Sequence, residues 1–281
     1  MSKQKIVIEP NSKNANYWKD LWSYRGLFYF LAWRDVLVRY KQTAIGVLWS
    51  VLRPLITIMI FTVVFNKLGK FSADDGIPYA IMVCAGMLPW QFFSNAFSES
   101  ANSLIANSNL LTKVYFPRLI IPASSVIVSI IDFLISFIIL LGLFVFYQYT
   151  PGLRIVFLPL FLLLAAVTAM GTGLFIAALN VKYRDFRYIV PFIVQFGLYI
   201  SPVGFSSSLV YGNTSLPMGV KYLYSLNPMV GVIDGFRWCI LSGESNLFMP
   251  GFILSVLISI SLLLYGIYYF RKTERGFADI I

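Results

Sequence analysis

Six long hydrophobic stretches constrain the fold of this chain more than any other feature. They lie near residues 46–66, 77–97, 119–147, 153–179, 188–208 and 251–270. A helix needs about 20 apolar residues to cross the roughly 30 Å hydrocarbon core of a bilayer, and each stretch reaches that length. The runs are continuous rather than alternating, which favours helices over a barrel. The sequence therefore predicts an all-α polytopic membrane protein with six transmembrane helices.

The distribution of basic residues predicts the orientation of these helices. If the N-terminus is cytoplasmic, 17 of the 22 Lys and Arg residues fall on the inner side. They lie in the N-terminal region through Arg53, around Lys113 and Arg118, at 182–187 and at 271–275. The positive-inside rule then favours an N-in and C-in chain. The net charge of +10 is thus explained by topology and contact with membrane lipids, so we expect no nucleic acid partner.

The segment that precedes the first stretch mixes aromatic and charged side chains. Only 12% of the whole chain is charged, yet residues 17–41 are too charged to span. We predict an amphipathic helix in the inner interface, within a cytoplasmic N-terminal segment 1–45. It is either a simple surface anchor or an anchor that also contacts a cytoplasmic partner. The spanning domain follows at 46–270, and a cytoplasmic tail at 271–281.

Two connecting segments have their own signals. Residues 98–116 place apolar side chains among Ser and Asn, which favours a short amphipathic helix on the cytoplasmic face or an ordinary loop. Residues 209–250 form a long outer segment broken by Pro217, Pro228 and Pro250. Its apolar part is short for a crossing, so we expect short re-entrant helices before the last span. A seventh crossing would place the basic tail outside, against the positive-inside rule.

No constellation of residues predicts catalysis. The chain has no histidine, which removes the commonest general base and metal ligand. The one Gly-Lys pair, Gly69-Lys70, is not a phosphate loop, because Val64 replaces the first glycine and Phe71 the Ser or Thr. We predict no catalytic residue, no metal site and no ATP site in this chain. A membrane-bound enzyme is accordingly disfavoured, and any ATP energy must come from another subunit.

The third stretch carries polar residues on one helix face, Ser125, Ser129, Asp132 and Ser136. A carboxylate at bilayer depth usually faces the interior of a bundle. These residues form either a wall of a permeation path or a set of interhelical hydrogen bonds that fix packing.

The fourth and fifth stretches have patterns of their own. Small residues recur every four positions in the fourth, which favours a close helix approach: Ala165, Ala169, Gly173 and Ala177. One face of the fifth carries Tyr188, Phe192, Gln195 and Tyr199. Such a face could stack on sugar rings and let a polymer slide, or it could be ordinary lipid-facing or core material.

Four blocks of sequence carry a resemblance to a known family. They are RDVLVRYKQTAIGVLWSVLRPL at 34–55, KVYFPRLIIPAS at 113–124, NVKYRDFRYIVPFIVQFGLYISPV at 180–203 and LNPMVGVIDGFRWCILSG at 226–243. In order and content they resemble the membrane subunit of type-2 ABC exporters for polysaccharide, over nearly the whole chain. That family includes exporters of O-antigen, capsular polysaccharide and teichoic acid, each handling a lipid-linked polymer.

The resemblance implies an assembly in the bacterial cytoplasmic (inner) membrane. The chain would form a homodimer with two copies of a cytoplasmic P-loop ATPase subunit, which would bind the ATP and Mg. It also implies a coupling helix at about 98–110 and two re-entrant helices at about 216–243. An exporter of a drug or small lipid shares this architecture and remains an alternative. An ATP-independent secondary transporter is a further alternative, disfavoured by the few intramembrane acids and the lack of inverted halves.

On this basis we expect three groups of site residues. The ATPase-coupling group is Ser100, Asn102, Leu104, Ile105, Asn107 and Asn109. The inner-interface group, expected to contact the partner or a pyrophosphate-linked lipid head, is Arg34, Asp35, Arg39, Lys41 and Arg53. The translocation-path group is Ser125, Ser129, Asp132, Ser136, Tyr188, Phe192, Gln195 and Tyr199.

Overall fold

A computed structural model of the chain describes residues 17–41, 44–69, 77–183, 185–241 and 247–277. All regular structure in these ranges is helical, without a strand. Five helices are long and apolar enough to cross a membrane: Val51–Leu68, Tyr79–Ala106, Ile120–Phe146, Leu153–Lys182 and Met249–Thr273. A shorter apolar helix, Phe186–Ile200, lies between the fourth and fifth of these. The predicted all-α polytopic membrane fold is confirmed.

The helices follow one another in the order used below. They are α1 (Tyr17–Ser23), α2 (Arg25–Lys41), α3 (Ala44–Phe61), α4 (Tyr79–Ala106), α5 (Ser108–Lys113), α6 (Ile120–Phe146), α7 (Leu158–Lys182), α8 (Phe186–Ile200), α9 (Ser208–Tyr211), α10 (Met218–Ser225), α11 (Pro228–Ile240) and α12 (Met249–Thr273). A π-helical turn, Thr62–Leu68, extends α3, and 3₁₀ turns precede α7 at Leu153–Phe157 and follow α12 at Glu274–Gly276.

Helix α4 is the centre of the bundle. In its apolar window 83% of the residues are buried, against 39% for α6 and less for the other long helices. It packs most extensively against α6 and α7, and α11 adds a further buried face. Side chains of α11 such as Val232, Ile233 and Phe236 lie in the same apolar core. The outer segment is therefore built into the bundle rather than lying loosely beside it.

The small residues of α7 bring two neighbouring helices close, as their spacing predicts. Ala165, Ala169 and Ala177 are fully buried. A Cβ atom on Gly173 would lie 2.6 Å from the Ser100 hydroxyl of α4, so this face packs on α4. A Cβ on Gly266 of α12 would overlap the carbonyl oxygen of Gly171. Helix α7 thus approaches α4 on one side and α12 on the other.

The structure divides the segment 98–116 differently from the prediction. Residues 98–106 complete α4, and only α5 forms a separate short helix. Although the buried Ser100 hydroxyl has no hydrogen-bond partner among the described residues, other polar side chains at the Ser-rich end of α4 form hydrogen bonds within the helix. The Ser103 hydroxyl, for example, donates to the Ser100 carbonyl at 2.7 Å. The buried Ala101 and Leu104 continue the apolar face of the span.

Beyond α8 the chain folds back onto the bundle instead of continuing along the axis of the helix. Helix α8 ends at Ile200, eight residues before the predicted end at 208. The guanidinium of Arg237 in α11 donates to the carbonyls of Val203 at 3.0 Å and Phe205 at 2.7 Å. Three short helices, α9 to α11, fill the described part of the outer segment. Helix α11 has 13 residues, fewer than the roughly 20 that a crossing needs, and most of them are buried in the bundle.

Candidate functional site at the junction of α2, α4 and α6

An apolar seam positions the N-terminal helices against the bundle. Its members recur three or four residues apart, which places them on one helix face. They are Tyr17, Leu21, Tyr24, Leu27, Phe28 and Leu31. They belong to a second hydrophobic cluster that includes Leu104 of α4, Leu111 of α5 and Ile120 of α6. Large aromatic side chains on the rest of α1 and α2 are exposed, which suits the predicted interfacial helix: Trp18, Trp22, Tyr29, Phe30 and Trp33.

Helix α2 runs alongside the first half of α6. Leu31 packs in the cluster that contains Ile120 and Ile121, at the start of α6. Nine residues later, the Tyr40 hydroxyl donates to Oδ1 of Asp132. Since a helix rises 1.5 Å per residue, Ile120 and Asp132 are about 18 Å apart along α6. The C-terminal end of α2 therefore reaches deep along a membrane-length helix.

A charged network connects the three helices at this depth. Nη2 of Arg39 lies 2.8 Å from Oδ2 of Asp132, and Nη1 lies 3.1 Å from Oε1 of Glu99 in α4. The Asn95 amide of α4 donates to the same Asp132 oxygen at 3.5 Å. The Asp132 carboxylate therefore has partners from both α2 and α4. A carboxylate buried without such partners would be costly.

Tyr40 acts in this network as a neutral donor. Burial raises the pKa of its phenol, and the hydrogen bond to Asp132 and the charge of that carboxylate raise it further. A phenol with a raised pKa keeps its proton at neutral pH and donates it to the acceptor. The contact therefore holds the end of α2 to α6 without adding a negative charge.

A second contact fixes α2 to the corner between α4 and α5. Nη2 of Arg34 donates to Oδ1 of Asn107 at 2.8 Å. The same guanidinium donates to Oδ1 of Asp35 from Nη2 at 2.7 Å and from Nε at 2.9 Å. Because Asn107 is the residue that separates α4 from α5, Arg34 connects the N-terminal helix to the turn before the short helix.

A pocket of about 620 Å³ opens between these contacts. Its lining combines members of all three predicted groups with neighbouring residues: Arg34, Asp35, Val38, Arg39, Glu99, Asn102, Ser103, Ala106, Asn107, Ser125 and Val128. Two guanidiniums face two carboxylates there, so the lining has no excess of positive charge. The arrangement suits a polar protein surface better than a pyrophosphate group, which would need unopposed cations.

Several predicted residues lie away from this pocket. Ser100 and Leu104 are fully buried in the bundle, whereas Asn109 of α5 is exposed. Lys41 and Arg53 are exposed and do not line the pocket. On α6, Ser129 and Ser136 are buried, but the Ser129 hydroxyl has no hydrogen-bond partner among the described residues, so the predicted interhelical hydrogen bonds are not seen there. The α8 group lies apart and is exposed: Tyr188, Phe192, Gln195 and Tyr199.

Three residues of the network were missed by the sequence analysis: Tyr40, Asn95 and Glu99. A signal existed for the latter two. Asn95, Glu99 and Asn102 recur at steps of four and three, which defines a polar face on a helix. The sequence analysis ended the second span at residue 97, so Asn95 fell inside the span and Glu99 and Asn102 fell outside it. The polar face was therefore not recognised. Within the described ranges, no group of three or more His, Cys, Asp or Glu residues is placed to hold a metal ion.

Five membrane-length helices define a multi-pass membrane protein, and a charged network packed among such helices is typical of proteins that transport a substrate. The profile of one family, described as ABC-2 type transporter, matches residues 26–241. The chain therefore belongs to the ABC-2 type transporter family, as a membrane permease.

Individual relatives match over most of their length. The chain is 28% identical to the O-antigen export system permease protein RfbA of Klebsiella pneumoniae, over 88% of this chain and 92% of that protein. It is 21% identical to the polysialic acid transport protein KpsM of Escherichia coli, over 86% and 92%. It is 23% identical to the capsule polysaccharide export inner-membrane protein CtrC of Neisseria meningitidis serogroup B, over 93% and 96%.

Proposed function

We propose that this chain is the permease of an ATP-driven exporter that moves a lipid-linked polysaccharide across the bacterial inner membrane. The polymer is of the O-antigen, capsule or teichoic acid type. The carrying observation is the near full-length similarity to three proteins named for exporting such polymers. The network from the α4–α5 corner through Arg34 and Arg39 to Asp132 supports it, since it offers a route from a cytoplasmic contact to a span.

Six crossings with both ends inside form the topology in this proposal. Helix α8 joins the five long helices as a crossing, although its 15 residues give only about 22 Å of helix. The fold-back at Val203 and Phe205, held by Arg237, completes the passage toward the outer face. The basic residues at 182–187 and 271–275 then lie on the cytoplasmic side. Helices α9 to α11 form the re-entrant exit segment.

The motor in this proposal is a separate P-loop ATPase, present in two copies, which holds ATP and Mg. We place its contact at the α4–α5 corner and along α5, where Asn109, Thr112 and Lys113 are exposed. The adjoining pocket receives a polar part of the same partner. Because Ser100 and Leu104 are interior, they act only as packing beneath this surface. In this proposal Lys41 and Arg53, which are both exposed, contact lipid headgroups.

A second copy of the chain completes the path. The window Val51–Leu68 has only 11% of its residues buried, and Val190 is the one buried residue of α8. Two such surfaces facing each other across a dimer would enclose a passage. The exposed aromatic face of α8, with Tyr188, Phe192 and Tyr199, would then line it. Aromatic rings there would give a sugar polymer a sliding surface without tight binding.

Reconstitution tests the proposal directly. The chain is purified with a candidate P-loop ATPase partner and placed in liposomes with a lipid-linked glycan. We expect glycan transfer that requires ATP and stops when the Walker lysine of the ATPase is replaced. In cells, depletion of the chain should cause a glycan to accumulate inside. Glycan transfer by the chain alone would refute the proposal that a separate ATPase drives export. Depletion without accumulation of a glycan would refute the proposal that the substrate is a polysaccharide.

A further inference from the structure

The C-terminal turn after α12 returns to the first described helix. The Tyr17 hydroxyl donates to Oε2 of Glu274 at 3.1 Å, across 257 residues of sequence. The guanidinium carbon of Arg271 lies 4.4 Å from the centre of the Tyr17 ring, a cation–π distance. Burial raises the pKa of the Tyr17 phenol, with the nearby Glu274 carboxylate adding to it, so the phenol is a neutral donor. One aromatic residue thus joins the two ends of the described chain.

The same turn also holds the connection that precedes α6. Arg118 donates from Nη1 to the Glu274 carbonyl, and its guanidinium carbon lies 5.9 Å from the centre of the Phe277 ring. Phe277 is almost fully buried and meets Phe270 edge-on, with ring centres 5.4 Å apart. Phe116 of this connection lies in the same cluster. The turn therefore contacts α1 on one side and the α5–α6 connection on the other.

These contacts bear on the N-terminal helices because a one-residue turn separates α1 from α2. Helix α1 ends at Ser23 and α2 begins at Arg25, and the backbone bonds from Tyr24 to the Asp20 carbonyl and from Phe28 to the Tyr24 carbonyl bridge the turn between them. The charged network at Arg34 and Arg39 fixes the far end of α2, and the apolar seam holds both helices against the bundle. A rigid arm needs attachment at both ends. The C-terminal turn supplies a polar and aromatic attachment at the other end of the arm. This attachment is made at Tyr17, which lies 17 residues before Arg34.

We propose that Glu274–Phe277 is a positioning clasp, which joins α1–α2 and the α5–α6 connection into one cytoplasmic body. This inference rests on the proposed function, since it assigns the clasp to the coupling between ATPase and spans. Movement imposed on α5 then reaches α2 and the start of α6 together. Without the clasp, α1 and the α5–α6 connection lose their shared contacts with the turn after α12, and part of the imposed movement is lost.

Substitutions separate coupling from folding. In proteoliposomes that contain the full complex, we expect Tyr17→Ala and Phe277→Ala to lower glycan exported per ATP hydrolysed by about fivefold or more. ATP hydrolysis itself should change little. Tyr17→Phe keeps the ring against Arg271, so it should lower glycan exported per ATP less than Tyr17→Ala does. Phe277→Leu should likewise keep most of the export per ATP that Phe277→Ala loses. Tyr29→Ala, on an α2 residue that is 69% exposed, is the matched control.

A cross-link provides a second measurement that does not depend on the alanine variants folding normally. Tyr17→Cys with Glu274→Cys removes the clasp and should lower the export ratio. A short bismaleimide that joins the two thiols should restore it. The native Cys84 and Cys239 are buried and free, and a chain without the new cysteines controls for them.

The outcomes distinguish the clasp from the proposed function. If the unmodified complex shows no ATP-dependent export, the proposed function fails. If the unmodified complex exports and the alanine variants assemble with an unchanged ratio, the clasp fails. The clasp also fails if the two thiols never cross-link, or if the cross-linked complex stays as uncoupled as before the reagent.

Discussion

Arg39 near the end of the N-terminal helix and Asp132 in the middle of α6 form an ion pair, with Nη2 and Oδ2 2.8 Å apart. Asp132 is the thirteenth of the 27 residues of α6. The pair therefore connects the end of α2 to the middle of a membrane-length helix. Since Arg39 also contacts Glu99, a displacement of α2 would reach α4 and α6 at once.

Removing Arg39 should destabilise the protein by leaving a buried carboxylate short of its cation. Breaking a fully buried pair costs about 3–5 kcal/mol. Because the Arg39 side chain is 37% exposed, we expect about 1–3 kcal/mol for Arg39→Ala. Thermal unfolding of the purified chain in detergent measures the change.

A double-mutant cycle shows whether that cost belongs to the pair. Arg39→Ala with Asp132→Ala should cost clearly less than the sum of the single substitutions, because no buried carboxylate is left without its cation and Glu99, which also loses Arg39, is half exposed. Additive costs would mean that Arg39 and Asp132 act separately. Val38→Ala, on an exposed neighbour in α2, is the control for truncation near this site.

Arg34 should matter for coupling more than for stability. Arg34→Ala removes the contact to Asn107 and releases the α4–α5 corner from α2. We expect the export rate to fall by about fivefold or more, with ATP hydrolysis largely kept. Arg34→Lys should not restore export, because an ammonium lacks the fork that reaches Asp35 and Asn107 together.

The control for this prediction is Arg25→Ala. Arg25 lies on the same helix, is exposed, and has a ring contact with Trp22 at 5.8 Å. Loss of charge alone would affect both variants alike. Equal export by the Arg25 and Arg34 variants would refute the specific role of the corner.

The sequence predicted the long helices well and the site only in parts. Hydropathy locates five of the spans because lipid exposure and core burial both demand apolar residues over about 20 positions. It placed Asp132 on an inward face, since an intramembrane carboxylate needs partners. Its partners could not be predicted, because Arg39 lies 93 positions away and only the packing of α2 on α6 brings the two together.

The end of α4 shows a different limit. The run from Ser98 to Asn107 is too polar to cross lipid, so hydropathy ends the span before it. Its helix persists because Leu104 and Ala101 are buried against protein rather than lipid. Composition measures transfer into a bilayer, whereas this segment is stabilised by tertiary packing. The residues Asn95 and Glu99 were missed for the same reason.

The close approach of α7 and α12 predicts a severe effect from one methyl group. A Cβ on Gly266 would overlap a backbone oxygen of Gly171, which cannot rotate away as a side chain could. Gly266→Ala should therefore separate the helices and cost about 1–3 kcal/mol, as overpacking does. The midpoint of thermal unfolding in detergent reports it.

Gly142→Ala is the matched control for that substitution. Gly142 also lies within a long helix, and a Cβ there meets nothing within 4 Å. Since alanine favours helix over glycine by about 1 kcal/mol, this variant should be neutral or slightly more stable. A Gly266 variant as stable as the Gly142 variant would contradict the close approach of α7 and α12.

The aromatic face of α8 should affect polymer movement if it lines the path. Replacing Tyr188, Phe192 and Tyr199 together with Ala removes exposed rings that make few contacts within the chain. Assembly and ATP hydrolysis should therefore persist, while glycan export falls. The control replaces three exposed residues of α12, Leu257, Leu264 and Tyr268, which the proposed path does not use. If both triple variants export equally, the rings of α8 face lipid or the partner copy, and the polymer follows another surface.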